Sequence, residues 1–321
     1  MIALIIAMQV AVLPAAQSVP VEGFRSELRQ RCNDGDADSC GHLARSYATG
    51  DGITKDPVRA AELYAKACDG LDAGSCIWLG LAHDKGDGVP RNAERASAFF
   101  EKACDLGSAA GCSNIGLSYA LGKGVKRDEK RGAAYFKRAC DADHAGGCSN
   151  LGAAYVKGVG VNRDRKRAVP LFERACGGGD ANGCFNLGVM YADALAVPRD
   201  RERAVQLYTR ACDDGEGAAC GNLGLFHAKG WTVPRDAAEA AALYRRGCDL
   251  SQAESCTNLG KAYRRGEGVP KDEVRGVALI QQALKIDPGF RPAQRALPFS
   301  ARQNPALGSS AIVDLVTDKA N

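Results

Sequence analysis

The sequence predicts an all-α protein, a solenoid of stacked helical hairpins, on three observations. Its fourteen cysteines fall in pairs eight residues apart, from Cys32/Cys40 to Cys248/Cys256, and each pair follows the last by 36. Within each unit, apolar and small residues recur at helical spacing. Turns rich in Gly and Pro separate these stretches at a fixed offset. A period of that length overrides the two ordinary domains that 321 residues would otherwise suggest. Lys and Arg number 42 against 38 Asp and Glu, too even a balance to argue for nucleic acid as a partner.

In chain order, residues 1–18 read as a signal peptide. An apolar run over 1–13 is followed by Ala16-Gln17-Ser18, a small-residue cleavage pattern, although no Lys or Arg precedes the run. The run is shorter than the roughly 20 apolar residues that a membrane span needs, so no membrane partner is expected after its removal. No Cys follows it closely, which argues against a lipid anchor. Residues 19–39 read as an N-terminal half-repeat cap with a helix at about 22–32. Residues 40–290 hold seven repeats, starting near 40, 76, 112, 148, 184, 220 and 256. Residues 291–321, rich in Pro, Ser and Ala, read as a capping turn and a loose tail.

Two cysteine connectivities suit the spacing, with partners either eight or 28 residues apart. The second would orphan Cys32 and Cys256, because position 284 is Leu. The first uses all fourteen: Cys32–Cys40, Cys68–Cys76, Cys104–Cys112, Cys140–Cys148, Cys176–Cys184, Cys212–Cys220 and Cys248–Cys256. Zinc prefers Cys pairs two to four residues apart, usually joined by His. With four His in the chain, disulfides are expected, no metal or cofactor is, and an exported protein follows.

Positions within a unit are counted from its second Cys as zero. Positions 0, 3, 4 and 7 (Cys148, Leu151, Gly152, Tyr155) form one face of a short helix A. A Gly-x-Gly turn follows, its glycines suited to positive φ. At +16 stands Asp in six units and Asn92 in the other, each expected to cap helix B. Helix B carries small residues at +20 and +27, mostly Tyr or Phe at +24 and Cys at +28. Pro170 falls inside helix B of its unit, where a lost hydrogen bond and a kink are expected.

The strings Asn150-Leu151-Gly152…Tyr155 and Asp164…Arg167-Ala168…Phe172-Glu173-Arg174-Ala175-Cys176, with the Gly-x-Gly-Val turn, carry a resemblance to the Sel-one-like repeat family, a relative of the tetratricopeptide repeat. It covers roughly residues 23–287. The cysteines look like those of its exported, Hcp-type β-lactamase-like branch. The resemblance implies a right-handed α/α solenoid that binds peptides or proteins, with penicillin-binding or weak β-lactamase activity in some relatives.

Little in the chain supports catalysis. The S-x-x-K, S-D-N and K-T-G strings of serine β-lactamases are absent, as is H-E-x-x-H. His83 and His227 stand where other units have Tyr at +7 and are expected in the core. His42 and His144 have no evident partner. Basic columns at +15 and +26 suit the residue before a cap and the last turn of a helix better than a polyanion stripe.

Two surfaces offer binding. Position +2 carries Trp78, then Asn114, Asn150, Asn186, Asn222 and Asn258. If helix A lines the concave face, as the resemblance implies, these carboxamides suit the backbone of an extended peptide. The alternative is that each Asn bonds across its own repeat junction. Position +11 carries Val159, Leu195 and Trp231 in consecutive units, either an apolar strip for a partner or packing onto the adjacent turn. The expected function is a periplasmic or secreted monomeric scaffold binding a protein or peptide. The alternatives are a β-lactam or cell-wall-fragment binding or hydrolysing protein, and a mitochondrial intermembrane-space assembly factor. The Arg-free N-terminus argues against the last.

Overall fold

A computed structural model describes residues 21–298; the signal-peptide segment 1–18 and the tail beyond 298 lie outside them. The described residues form sixteen helices and no strand. After α1 (Val21–Asn33), A and B helices alternate. They are α2 (Ala37–Thr49) and α3 (Pro57–Asp69), α4 (Ala73–Lys85) and α5 (Ala93–Asp105), and α6 (Ala109–Leu121) and α7 (Glu129–Asp141). Next come α8 (Ala145–Lys157) and α9 (Arg165–Gly177), α10 (Ala181–Ala192) and α11 (Arg201–Asp213), and α12 (Gly217–Lys229) and α13 (Ala237–Asp249). The last pair, α14 (Ala253–Arg265) and α15 (Glu273–Ile286), is followed by α16 (Arg291–Ala296). The expected capping turn after residue 290 therefore includes a short helix, with Ala293 buried at its centre. Two compact units divide the chain, one up to Phe99 and one from Phe100.

Every B helix starts on the side chain read from sequence. Asp56, Asn92, Asp128, Asp164, Asp200, Asp236 and Asp272 each accept a hydrogen bond from a backbone N–H in the first turn. Their own N–H groups donate to the +7 carbonyls, from Tyr47 through Tyr263, and so close the turn between A and B. Above the +7 ring lies the Arg at +19 in five units, for example Arg203 over Tyr191 at 4.5 Å and Arg275 over Tyr263 at 4.6 Å. In the unit where +7 is His227, position +19 is Glu239.

The A–B interface is set by the Gly column at +4. A Cβ added at Gly152 would meet the Phe172 ring at 2.7 Å, and one at Gly188 would meet the Tyr208 ring at 2.7 Å. In these repeats the +24 ring of helix B therefore lies against the backbone of helix A in a space with no room for a Cβ. Phe172 and Tyr208 are almost fully buried as a result. Pro170 does not break α9, which runs unbroken through it on an exposed face. Water can satisfy the carbonyl that loses its partner there.

All seven disulfides join the end of one B helix, or of α1, to the next A helix, with Cα atoms 4.5–4.7 Å apart. No free cysteine remains. Within the second unit, successive A helices also touch each other, α6 with α8, α8 with α10, and α12 with α14.

Candidate functional site

Helix A is positioned at its start by residues four before the second Cys. Asp72, Ser108, Asp180 and Glu216 accept from N–H groups of the first turn. His144 does the same through Nδ1, which receives the Gly147 N–H at 3.0 Å. That acceptor role fixes the other ring nitrogen, Nε2, as the protonated one. Sequence reading left His144 without a partner, although a polar residue stands at this offset in every unit, from Asp36 to Gln252.

Six residues further on stand the side chains of the Asn column. All five in the second unit are half-buried. Their partners differ. Asn150 Nδ2 donates to Ser113 Oγ of the preceding repeat at 3.4 Å. Asn186 Nδ2 donates to the Asn182 carbonyl of its own helix at 2.8 Å. Asn222 bonds Tyr208; burial pushes that phenol up to about 12, and the Asn222 hydrogen bond pulls the other way. No partner for the Asn114 or Asn258 carboxamide occurs among the described residues. In the first unit, Trp78 at the same position is 47% exposed, and its ring is stacked on Tyr64 at 6.3 Å.

The +11 residues have a local role. Each follows the helix A terminus and returns its N–H to a carbonyl five residues back: Val159 to Ala154, Leu195 to Met190 and Trp231 to Phe226. This bond closes the helix end, and an apolar contact between the same two residues usually accompanies it. Trp231 makes that contact edge-on to Phe226 at 5.6 Å, and Arg201 covers it at 5.0 Å. Leu195 packs on the core cluster that includes Met190.

The basic column at +26 is anchored. Lys66, Arg138, Arg174 and Arg246 each reach back 34 residues to a carbonyl, that of Cys32, Cys104, Cys140 and Cys212 respectively. Arg174 and Arg246 also bind Asp143 and Asp213 at 2.8 Å. Each strap adds a second hydrogen bond to a helix-terminal carbonyl beside the preceding disulfide, one that already accepts the backbone N–H three residues on. At +15, Arg91 donates to the Asp84 carbonyl and Arg127 pairs with Glu129.

His83 is buried, stacked on Phe99 at 5.6 Å, with Nδ1 3.3 Å from the Pro90 carbonyl. His42 lies beside Asp38 at the surface, and Nδ1 of His227 is buried without a hydrogen-bond partner. Among the described residues no group of three or more His, Cys, Asp or Glu could hold a metal ion.

Capped helix pairs, a covalent bond at every joint and a recurring open position on helix A define an α-solenoid scaffold of the kind that presents surfaces to other proteins. The chain belongs to the Sel1 repeat family, whose profile matches residues 37–70, 73–108, 109–144, 145–180, 181–216, 217–251 and 253–285. Among solved structures, it is similar to a protective antigen of uropathogenic Escherichia coli that displays an SLR fold. That match has 25% identity over 84% of this chain and a TM-score of 0.66, and it spans 57% of the antigen's chain. It is also similar to a Sel1 repeat protein from Oxalobacter formigenes, at 25% identity over 85% of this chain and 78% of that one, with a TM-score of 0.64. Helicobacter pylori cysteine rich protein B is 33% identical over 42% of this chain and 97% of its own, with a TM-score of 0.34. A comparison with curated proteins finds no match. Seven disulfides within one chain suggest an oxidising, exported environment. No described helix is long and apolar enough to cross a membrane.

Proposed function

We propose that this protein is a periplasmic or secreted scaffold of the Hcp-type branch whose helix A face grips an extended peptide of a protein partner. The grip is assigned to Asn114, Asn150, Asn186, Asn222 and Asn258 of the second unit; Trp78, at the same repeat position in the first unit, is proposed by itself as an apolar contact. One observation carries this reading. Five half-buried carboxamides recur at one helix A position, and two of them have no protein partner among the described residues. A carboxamide both donates and accepts, as a peptide group does, so a row of them reads main chain rather than side chain. Contacts of α6 with α8, α8 with α10 and α12 with α14 bring Asn114, Asn150 and Asn186, and then Asn222 and Asn258, beside one another.

The test is a panel of dye-labelled extended peptides screened by fluorescence anisotropy against the disulfide-intact protein. Changing Asn114 and Asn258 to Ala should weaken the tightest binder about thirtyfold, from roughly 1 kcal/mol per lost hydrogen-bonding group. Unchanged affinity in a variant with native circular dichroism would remove the ladder from the binding site.

A further inference from the structure

We infer that the cavity between α12, α13 and α14 is a subsite for an acidic stretch of the bound peptide, its carboxylates held by cations at the rim and an apolar side chain resting on the floor. The inference rests on the peptide-binding reading above and adds the chemistry of the ligand.

The cavity has a volume of about 500 Å³. Leu225, Ala240, Ala241 and Tyr244 supply apolar lining. Four cations, Lys229, Arg235, Lys261 and Arg265, line it against a single carboxylate, Glu267. Glu267 lies 3.7 Å from Arg265 Nη1 and so belongs to that Arg. Lys229, Arg235 and Lys261 have no ion-pair partner among the described residues. Excess positive charge around a partly enclosed apolar wall draws an anion, because the low-dielectric floor does little to screen it. The apolar floor favours a peptide over a fully hydrophilic anion, since it would otherwise stay wet.

The position ties this cavity to the ladder. Asn258, the last member and one of the two without a partner, lines it as well. Lys261 and Arg265 follow Asn258 by three and seven residues on α14, and so share its helix face. A larger cavity of about 1030 Å³ lies beside α7, α8 and α9, but there three carboxylates, Asp128, Glu129 and Asp164, stand among the four cations Arg127, Lys130, Arg163 and Arg167. Arg127 pairs with Glu129, and Arg167 with Asp164, in that second place. The excess of positive charge is therefore greater at the α12–α14 end of the row.

An end-blocked, dye-labelled peptide alternating Leu and Glu, and its twin with Gln for every Glu, separate the possibilities by anisotropy at low salt. The Glu peptide should bind the full disulfide-bonded chain about tenfold tighter than the twin. Lys261→Gln with Arg265→Gln should shrink that gap to about twofold by weakening the Glu peptide far more than the twin. Asn114→Ala with Asn150→Ala should weaken both peptides alike. Equal binding of the two peptides, or a gap that survives the double charge change, overturns the subsite and leaves the ladder standing. Indifference of both peptides to the Asn changes sinks the ladder itself, and failure of both peptides to bind overturns both readings.

Discussion

The chain reverses direction twice in every repeat, and the two reversals are secured by opposite means. From helix B to the next helix A, material is added: a buried disulfide, a capping side chain and, at four joints, a Lys or Arg strap to the carbonyl of the preceding unit's cysteine. From helix A to helix B, material is taken away. Gly88, Gly160 and Gly268 sit at φ near +70°, and a Cβ there would stand 1.9–2.0 Å from the first-turn carbonyl of the preceding B helix. The joint is held by bonds, whereas the turn is held by the lack of a side chain. In the fifth and sixth repeats the contrast weakens, because Ala196 and Thr232 occupy the same position at φ 66° and 70°. Ala194, at φ 55°, replaces the preceding glycine too. A Cβ in that region costs about 1–2 kcal/mol, and Leu71, Asp143 and Ser251 carry the same cost in three of the B-to-A joints.

The largest effect should come from the turn. Gly160→Ala forces a side chain into the Glu129 carbonyl at a positive φ and should lower stability by about 3 kcal/mol or more, read from guanidinium unfolding. A loss under about 1 kcal/mol would mean the turn can lift off its neighbour freely. Next is the joint. Cys176→Ala with Cys184→Ala opens a short loop and should cost about 2–3 kcal/mol. A much smaller loss would show that cap and strap already hold the joint. Removing the strap alone, by Arg174→Met, should cost about 1 kcal/mol, because the side chain is half exposed although it binds both a carbonyl and Asp143. The smallest effect runs the other way: Ala196→Gly should stabilise the protein by about 1 kcal/mol through relief of the positive φ. If Ala196→Gly destabilises instead, the fifth turn is built differently from the fourth, and the comparison between them fails.

Much of the frame was legible because it is local. An Asp or Asn sixteen residues after the second cysteine of a pair has one nearby set of orphan N–H groups to cap, and all seven such residues cap them. The straps were not legible. Arg174 looks like any cation in the last turn of a helix, and its carbonyl partner lies 34 residues away. The Asn column was legible as a column but not in its chemistry. Asn150, Asn186 and Asn222 choose a hydroxyl, a carbonyl and a phenol in turn, according to what the neighbouring helix presents. The +11 residues illustrate the same limit. Their spacing left open a partner strip or packing onto the adjacent turn, and only the packing shows that Trp231 is committed on one side to Phe226 through the geometry of its helix end.

The sequence by itself determined the helices, their caps and the repeat length, since each depends on groups that one turn or one short loop brings together. Its cysteine spacing pointed to pairs eight residues apart, and the short loop between consecutive helices lets those pairs meet. Only the tertiary structure decided which long polar side chains are tied down and which stay open. Arg138, Arg174 and Arg246 are spent on the preceding repeat, whereas Lys229, Arg235 and Lys261 remain free beside a cavity with a partly apolar wall. The physical reason is reach. A flexible cation finds its partner across a repeat junction, at a separation and angle that packing sets and no period in the sequence encodes.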